Sequence, residues 1–185
     1  WEDFSESKKS SMYVIGHELF NKSLTLDIEN RLMQYLLSVE NISRVHNSRT
    51  NQQNEYYTSE MLDEIFSEIW QSLNKKNKSL FPIESIIKDS AIFKASPFHK
   101  LTQEQINAKE EILTKIKESI LLNEDGQLII VEGEAGSGKT VLMSTLLYEL
   151  GKYNLDLDEN LDIHLLVNHN EHVYIYTQIA SKLGI

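Results

Sequence analysis

The fold of this chain turns on Gln127 to Met143, "QLIIVEGEAGSGKTVLM". Gly133 to Thr140 fits G-x-x-x-x-G-K-[ST] at every fixed position, with an apolar run before it and a helix-forming run after it. A phosphate chain needs several backbone amides converging on its oxygens. Glycines let the main chain curl close without side chains in the way. The first turn of the following helix adds unpaired amides and the positive end of its dipole. Lys139 offers a mobile charge for the outer phosphates, and Thr140 a hydroxyl for magnesium. "QLIIVE" reads as a strand of the fully buried kind found in parallel sheets. Strand, phosphate loop and helix are therefore the expected order here.

Working outward, "LTQEQI" carries a helix start. Thr102 is placed to cap, Gln105 to reach back to the cap amide, and Leu101 and Ile106 flank them in the positions of a hydrophobic staple. That helix runs through Leu113, Ile116 and Ile120 to the turn "NEDG". Beyond the loop, "TVLMSTLLYEL" is a helix stopped at Gly151. "LDIHLLVN" is a second strand, and "EHVYIYTQIASKLG" a helix ending at Gly184. The expectation for 101–185 is an α/β fold, part of a parallel sheet flanked by helices. Two parallel strands do not make a covered sheet, and such sheets average about five strands. The intact protein is therefore expected to continue past Ile185 with at least three more strands and an acidic strand end.

Ahead of this lies a smaller, mainly α module over 1–74 and a linker over 75–100. "MYVIGHELF" (12–20) reads as a short strand. "SLTLDIENRLMQYLLSVE" has Ile28, Leu32, Tyr35, Leu36 and Val39 at helical spacing, with Asp27 and Glu29 assigned to its first turns. In "TSEMLDEIFSEIWQSL", Met61, Ile65, Ile69 and Leu73 form one stripe joined by Leu62, Phe66 and Trp70. A short helical or extended piece is expected around Ile83 to Lys88.

Composition excludes several classes. With 28 acidic and 18 basic residues the net charge is −10, a poor general binder of polyanions, so nucleic-acid contact needs a local basic patch. There is no cysteine, hence no disulfide and no thiolate chemistry. No apolar run reaches the roughly 20 residues of a membrane-spanning helix, and no export signal is visible. A cytoplasmic location is expected. The six histidines show no zinc spacing.

Hydrolysis normally requires a second carboxylate at the end of a later strand. "LDIHLLVN" instead leads into Asn168, His169 and Asn170, and Glu171 reads as a helix-start residue. Glu132 and Glu134 precede the lysine. No arginine follows Arg49, so none is available here as an arginine finger. The parts that grip a nucleotide are present and the parts that hydrolyse it are not.

"LTQEQ", "VEGEAGSGKTVLM" and "HLLVNHNEHVYIYTQIA" together resemble helicase-like P-loop NTPases related to superfamily 1 DNA/RNA helicases, of the Schlafen-like ATPase type, over about Phe98 to Ile185. The resemblance implies binding of ATP with Mg2+ through Gly133, Glu134, Ala135, Gly136, Ser137, Gly138, Lys139, Thr140 and Val141. Lys139 and Thr140 are then the catalytic pair, and Thr140 the magnesium ligand. It also implies adenine contact by Gln105. Spacing alone makes Gln105 half of a capping box, and the two roles are compatible. Asn168, His169 and Asn170 lie where such helicases touch nucleic acid, though loop polarity accounts for them equally well. The resemblance thus implies an ATPase or helicase in a longer protein, acting on nucleic acid and inactive as this segment. A nucleotide-dependent binding or regulatory module without turnover is the alternative, and a small-molecule kinase is disfavoured by the missing arginines.

"HELFNKSLTLDIENRLMQYL", "NSRTNQQNEYY" and "IFSEIWQSL" resemble the C-terminal part of a GIY-YIG-like nuclease domain. This implies a metal-holding role for Glu29 and a supporting one for Asn47. The eponymous strands and catalytic arginine are absent, and "YVIG" at Tyr13 to Gly16 stands in the wrong order, so no cleavage is expected from the segment as it stands. Lys75, Lys76 and Lys78 read as a solvated helix end. "FKASPFHK" reads as a linker whose Phe93 and Phe98 dock onto a domain surface, with base stacking as the other use of such a run.

Overall fold

In the computed structural model, residues 11–46, 55–157 and 161–185 are described. Among them the structure is helix and loop, with no strand and no sheet. The elements are α1 (Lys22–Leu37), a 3-10 turn (Ser59–Met61), α2 (Leu62–Lys76), α3 (Glu84–Asp89), α4 (Ala91–Lys94), α5 (Gln103–Leu122), α6 (Lys139–Leu157) and α7 (Asn170–Leu183).

The expected parallel sheet and α/β architecture are thereby corrected. Residues 127–132 form no ladder, and Leu128 and Ile130 are 81% and 70% exposed. Residues 161–168 do alternate in burial, with Leu165 and Val167 resting on the helices while Leu166 is 90% exposed, but they too pair with no strand. The 12–20 run is likewise loop and turn. The physical reason is that an apolar run becomes a strand only against a partner ladder. Here the helices bury their apolar faces directly in one another. Ile112 of α5 meets Leu142 and Leu146 of α6, with Ala108, Leu113 and Ile116 around them. The side chain of Asn154, on α6, bonds both backbone groups of Leu161 (3.0 and 3.2 Å), so a carboxamide stands where a strand partner would.

Two further cores organise the rest. The first joins α1 and α2 through Leu24, Ile28, Tyr35, Ile65, Phe66, Ile69, Trp70 and Leu73, closed by Phe81 and Ile87. Helix α1 begins at Asn21, whose Oδ1 accepts from Leu24 N at 2.9 Å. This start is earlier than the pattern suggested, so Asp27 and Glu29 fall beyond the first turn, which holds no acidic residue. Helix α2 places Asp63 and Glu64 in its first turn and Lys75 and Lys76 in its last, both matching the dipole. Glu84 of α3 accepts from Ser67 Oγ (2.6 Å) and Tyr35 OH (3.1 Å), and pairs with Lys88. Burial alone would raise its carboxyl. These three partners outweigh that and hold it below the usual carboxylate range.

The second core packs Met33 and Leu37 of α1 with Ala95, Phe98, Tyr148 of α6, and Tyr176 and Ile179 of α7. Phe93 meets Tyr35 and Phe98 meets Tyr148, each with ring centroids 5.3 Å apart. Those rings dock, and Phe98 is too buried to stack on a base. The C-terminus of α1 receives the Lys182 ammonium from α7, which donates to Leu37 O (3.0 Å) and Val39 O (2.8 Å). That is a cation on the negative end of a helix.

His99 sits between these cores. Its Nε2–H donates to Phe93 O (2.7 Å) and Nδ1 accepts from Gln34 Nε2 (2.9 Å), which assigns the neutral tautomer. Burial depresses its pKa from the ordinary 6.5, although the Phe93 carbonyl pulls the other way. The unfolded chain therefore takes a proton below about pH 6.5 that the fold resists, and stability falls as pH drops through that region. In urea titrations between pH 7.5 and 5.5, His99→Gln is expected to remove part of that slope.

Helix α6 passes through Gly151 without stopping. A Cβ there would come within 2.8 Å of Ile185 Cβ, so this glycine makes room for the packing of Ile185 and is no terminator. Gly184 does end α7, in the left-handed region at φ +69°, with Ile185 N reaching back to Ala180 O at 3.1 Å. No helix among the described residues is long and apolar enough to cross a membrane.

Candidate phosphate-binding site

The site is assembled where the α5 N-terminus meets the loop between residue 132 and α6. Thr102 and Gln105 form the expected reciprocal cap: Gln105 N donates to Thr102 Oγ1 (3.3 Å) and Thr102 N to Gln105 Oε1 (2.9 Å). Thr102→Ala is expected to lower stability by about 1 kcal/mol in chemical denaturation, as for other lost N-caps.

Within the loop, Gly136 and Gly138 hold φ of +84° and +81°, a backbone that side-chain-bearing residues rarely adopt. A Cβ on Gly133 would lie 2.7 Å from Ser137 Oγ, so the loop closes tightly over its first glycine. Ser137 N donates to Glu134 O at 3.2 Å. Lys139, the first residue of α6, bends back and donates to Gly133 O (2.6 Å) and Glu134 O (2.7 Å). Thr140 is exposed in the first turn of α6. Its carbonyl accepts from Ser144 Oγ (2.9 Å), and that of Val141 accepts from Thr145 Oγ1 (2.9 Å). Gln105 is brought in from 32 residues upstream and donates through Nε2 to Ser137 O at 2.8 Å.

A cleft of about 330 Å3 opens beside the loop, within the range of ligand sites. Gln105, Gly133, Glu134, Ser137, Gly138 and Lys139 line it. Ala135, Gly136, Thr140 and Val141 belong to the same loop and helix but do not line the cleft. The walls also include Glu104, Ala108 and Leu142, which pattern matching did not single out. Their signal was helical spacing: Ala108 lies three residues after Gln105 on α5, and Leu142 three after Lys139 on α6.

Residues 126–184 match the family model for the Schlafen group 3 DNA/RNA helicase domain. This part of the chain is Schlafen-like and helicase-related. No curated protein and no solved structure matches the chain. The helicase-like segment thus contains the whole loop, α6 and α7, while Gln105 and the resemblance seen ahead of it lie outside the match.

Glu29 is exposed on α1 and does not line the cleft. Asn47 lies outside the described residues. Among the described residues no group of three or more His, Cys, Asp and Glu is gathered as for a metal ion. At the far end of the helicase-like segment, His169 precedes α7 as its cap residue, and its carbonyl accepts from His172 N (3.0 Å) and Val173 N (3.2 Å). Asn170 opens the helix and Glu171 occupies its first turn, the helix-start place read from the sequence.

Proposed function

We propose that the loop from Gly133 to Thr140 binds the phosphates of ATP, as the nucleotide-gripping part of a helicase-like protein that acts on nucleic acid. One observation carries this reading. A loop turned by two left-handed glycines, with Gly138 and an inward-bent lysine in the wall, borders an open cleft at the start of a helix of 19 residues. Amides, an ammonium and a helix dipole meet in one concavity, the chemistry that a polyphosphate selects.

Magnesium fits as part of the ligand. Thr140, exposed in the first turn of α6 next to Lys139 of the cleft wall, would offer one hydroxyl to the ion, and phosphate and water oxygens would supply the rest of its shell. The charge balance of the cleft asks for it as well, since Glu104, Glu132 and Glu134 line the walls against the single lysine of the lining, Lys139. A bare triphosphate meets repulsion there, and its magnesium complex meets less. Titration of ATP with a fluorescent ribose label is expected to show saturable binding in Mg2+ and about tenfold weaker binding in excess EDTA, a difference of about 1.4 kcal/mol. Equal affinity in both conditions would count against this geometry.

A second reading, binding without turnover, is favoured by the Asn168, His169 and Asn170 sequence where a hydrolytic site would have an acidic end. Single-turnover ATP hydrolysis with and without single-stranded DNA or RNA separates the two. Stimulated turnover selects the ATPase, and binding without turnover selects the regulatory module.

A further inference from the structure

Gln105 stands apart from the loop in sequence yet bonds to its backbone, and its carboxamide is engaged at both ends. Oε1 accepts from Thr102 N at 2.9 Å and Nε2 donates to Ser137 O at 2.8 Å. The orientation is fixed by these partners, because the flipped amide would set oxygen against the Ser137 carbonyl and nitrogen against the Thr102 N–H. The carboxamide spends one N–H and one lone pair on the backbone, and these two bonds hold it between the start of α5 and the loop.

We propose that Gln105 is a positioning residue for the phosphate loop, acting alike on every ligand that the loop holds by its phosphates. This inference rests on the reading of 133–140 as a phosphate site. The physical need arises from glycine itself. The Ser137–Gly138 peptide precedes a residue at φ +81°, and glycine's freedom leaves such a peptide plane easy to turn over. In a planar trans peptide the carbonyl and the following N–H point in opposite directions. Holding Ser137 O towards α5 therefore fixes the direction of the Gly138 N–H, one of the amides offered to phosphate. A loop held in its binding shape loses less freedom when ligand arrives.

Gly138 carries the same logic in reverse. A Cβ at this position would lie 2.4 Å from Gln105 Nε2, so the glycine admits the clamp as well as the backbone angle. The capping box then serves the loop as well as the helix, because Thr102 N steadies the carboxamide that steadies Ser137 O.

The test titrates ATP, GTP and inorganic tripolyphosphate, each with Mg2+, against the intact chain, Gln105→Ala and Thr102→Ala. Gln105→Ala is expected to weaken all three ligands by one common factor of about three to ten, the worth of a lost neutral hydrogen bond. Thr102→Ala is expected to lower the thermal midpoint while leaving a smaller effect on the three affinities. Loss of ATP alone, with GTP and tripolyphosphate unchanged, would overturn the proposal in favour of base reading. So would unchanged binding of all three, or equal losses in the two variants, which would mark a helix-cap effect. If the unsubstituted chain binds none of the three, the phosphate-site reading itself fails, and that result is visible before any variant is compared.

Discussion

Trp70→Ala is expected to cost about 3–5 kcal/mol, the range for emptying a large aromatic site in a core. The indole is 1% exposed. Its ring centre lies 4.8 Å from that of Tyr35 and 5.5 Å from that of Phe81, in edge-on contacts that add to burial alone. Nε1–H donates to Pro82 O at 2.7 Å, which ties the chain after α2 back onto that helix. Alanine removes the packing and the donor together. Trp70→Phe separates them, keeping most of the ring volume and losing the N–H, with an expected cost of about 1–2 kcal/mol. Small domains are stable by only about 5–15 kcal/mol, so this one substitution removes a substantial share of the margin. Urea titration followed by far-UV circular dichroism gives both values. A loss below about 1 kcal/mol for Trp70→Ala would mean that the first core is not built around this side chain.

The contrast between what the sequence made legible and what it hid tracks the distance over which each feature is determined. The α5 start was legible because Thr102 and Gln105 satisfy each other within one turn. The end of α7 was legible because Gly184 needs only its own φ and the preceding turn. Gly151 misled for the complementary reason: what it accommodates is Ile185, far along the chain, and no local pattern shows that contact. The sheet was the largest miss. "QLIIVE" and "LDIHLLVN" have strand composition, and 161–168 keeps strand-like alternation, but a ladder is a non-local bond and composition does not guarantee its partner. In the candidate site, the G-x-x-x-x-G-K-[ST] pattern located the loop beside the cleft, of which Gly133, Glu134, Ser137, Gly138 and Lys139 line the wall. The Gln105 bond to Ser137 was not, since it depends on how α5 and α6 pack through Ile112, Leu142 and Leu146.

Lys139→Ala is the substitution that bears hardest on the site. The ammonium has three donors, and two are bonded to Gly133 O and Glu134 O. It therefore braces the loop from inside while placing a positive charge at its mouth. On the proposed reading, alanine removes charge-assisted bonds to phosphate worth about 1.5–3 kcal/mol, a weakening of about 10- to 150-fold for ATP with Mg2+. The side chain is exposed, so folding is expected to change little. Coincident urea curves for Lys139→Ala and the unsubstituted chain would show that the loss belongs to binding. Lys139→Arg keeps the charge but replaces a compact point donor with a planar fork. That fork does not reproduce two short bonds to carbonyls of adjacent residues, so intermediate affinity is expected. Because the ammonium both braces and attracts, salt distinguishes its two roles. Raising ionic strength screens the attraction to phosphate but leaves the internal brace largely in place. The gap between Lys139 and Lys139→Ala is thus expected to narrow with salt without closing. A gap that vanished would reduce Lys139 to a screened surface charge, and a gap unaffected by salt would leave the brace as its only role.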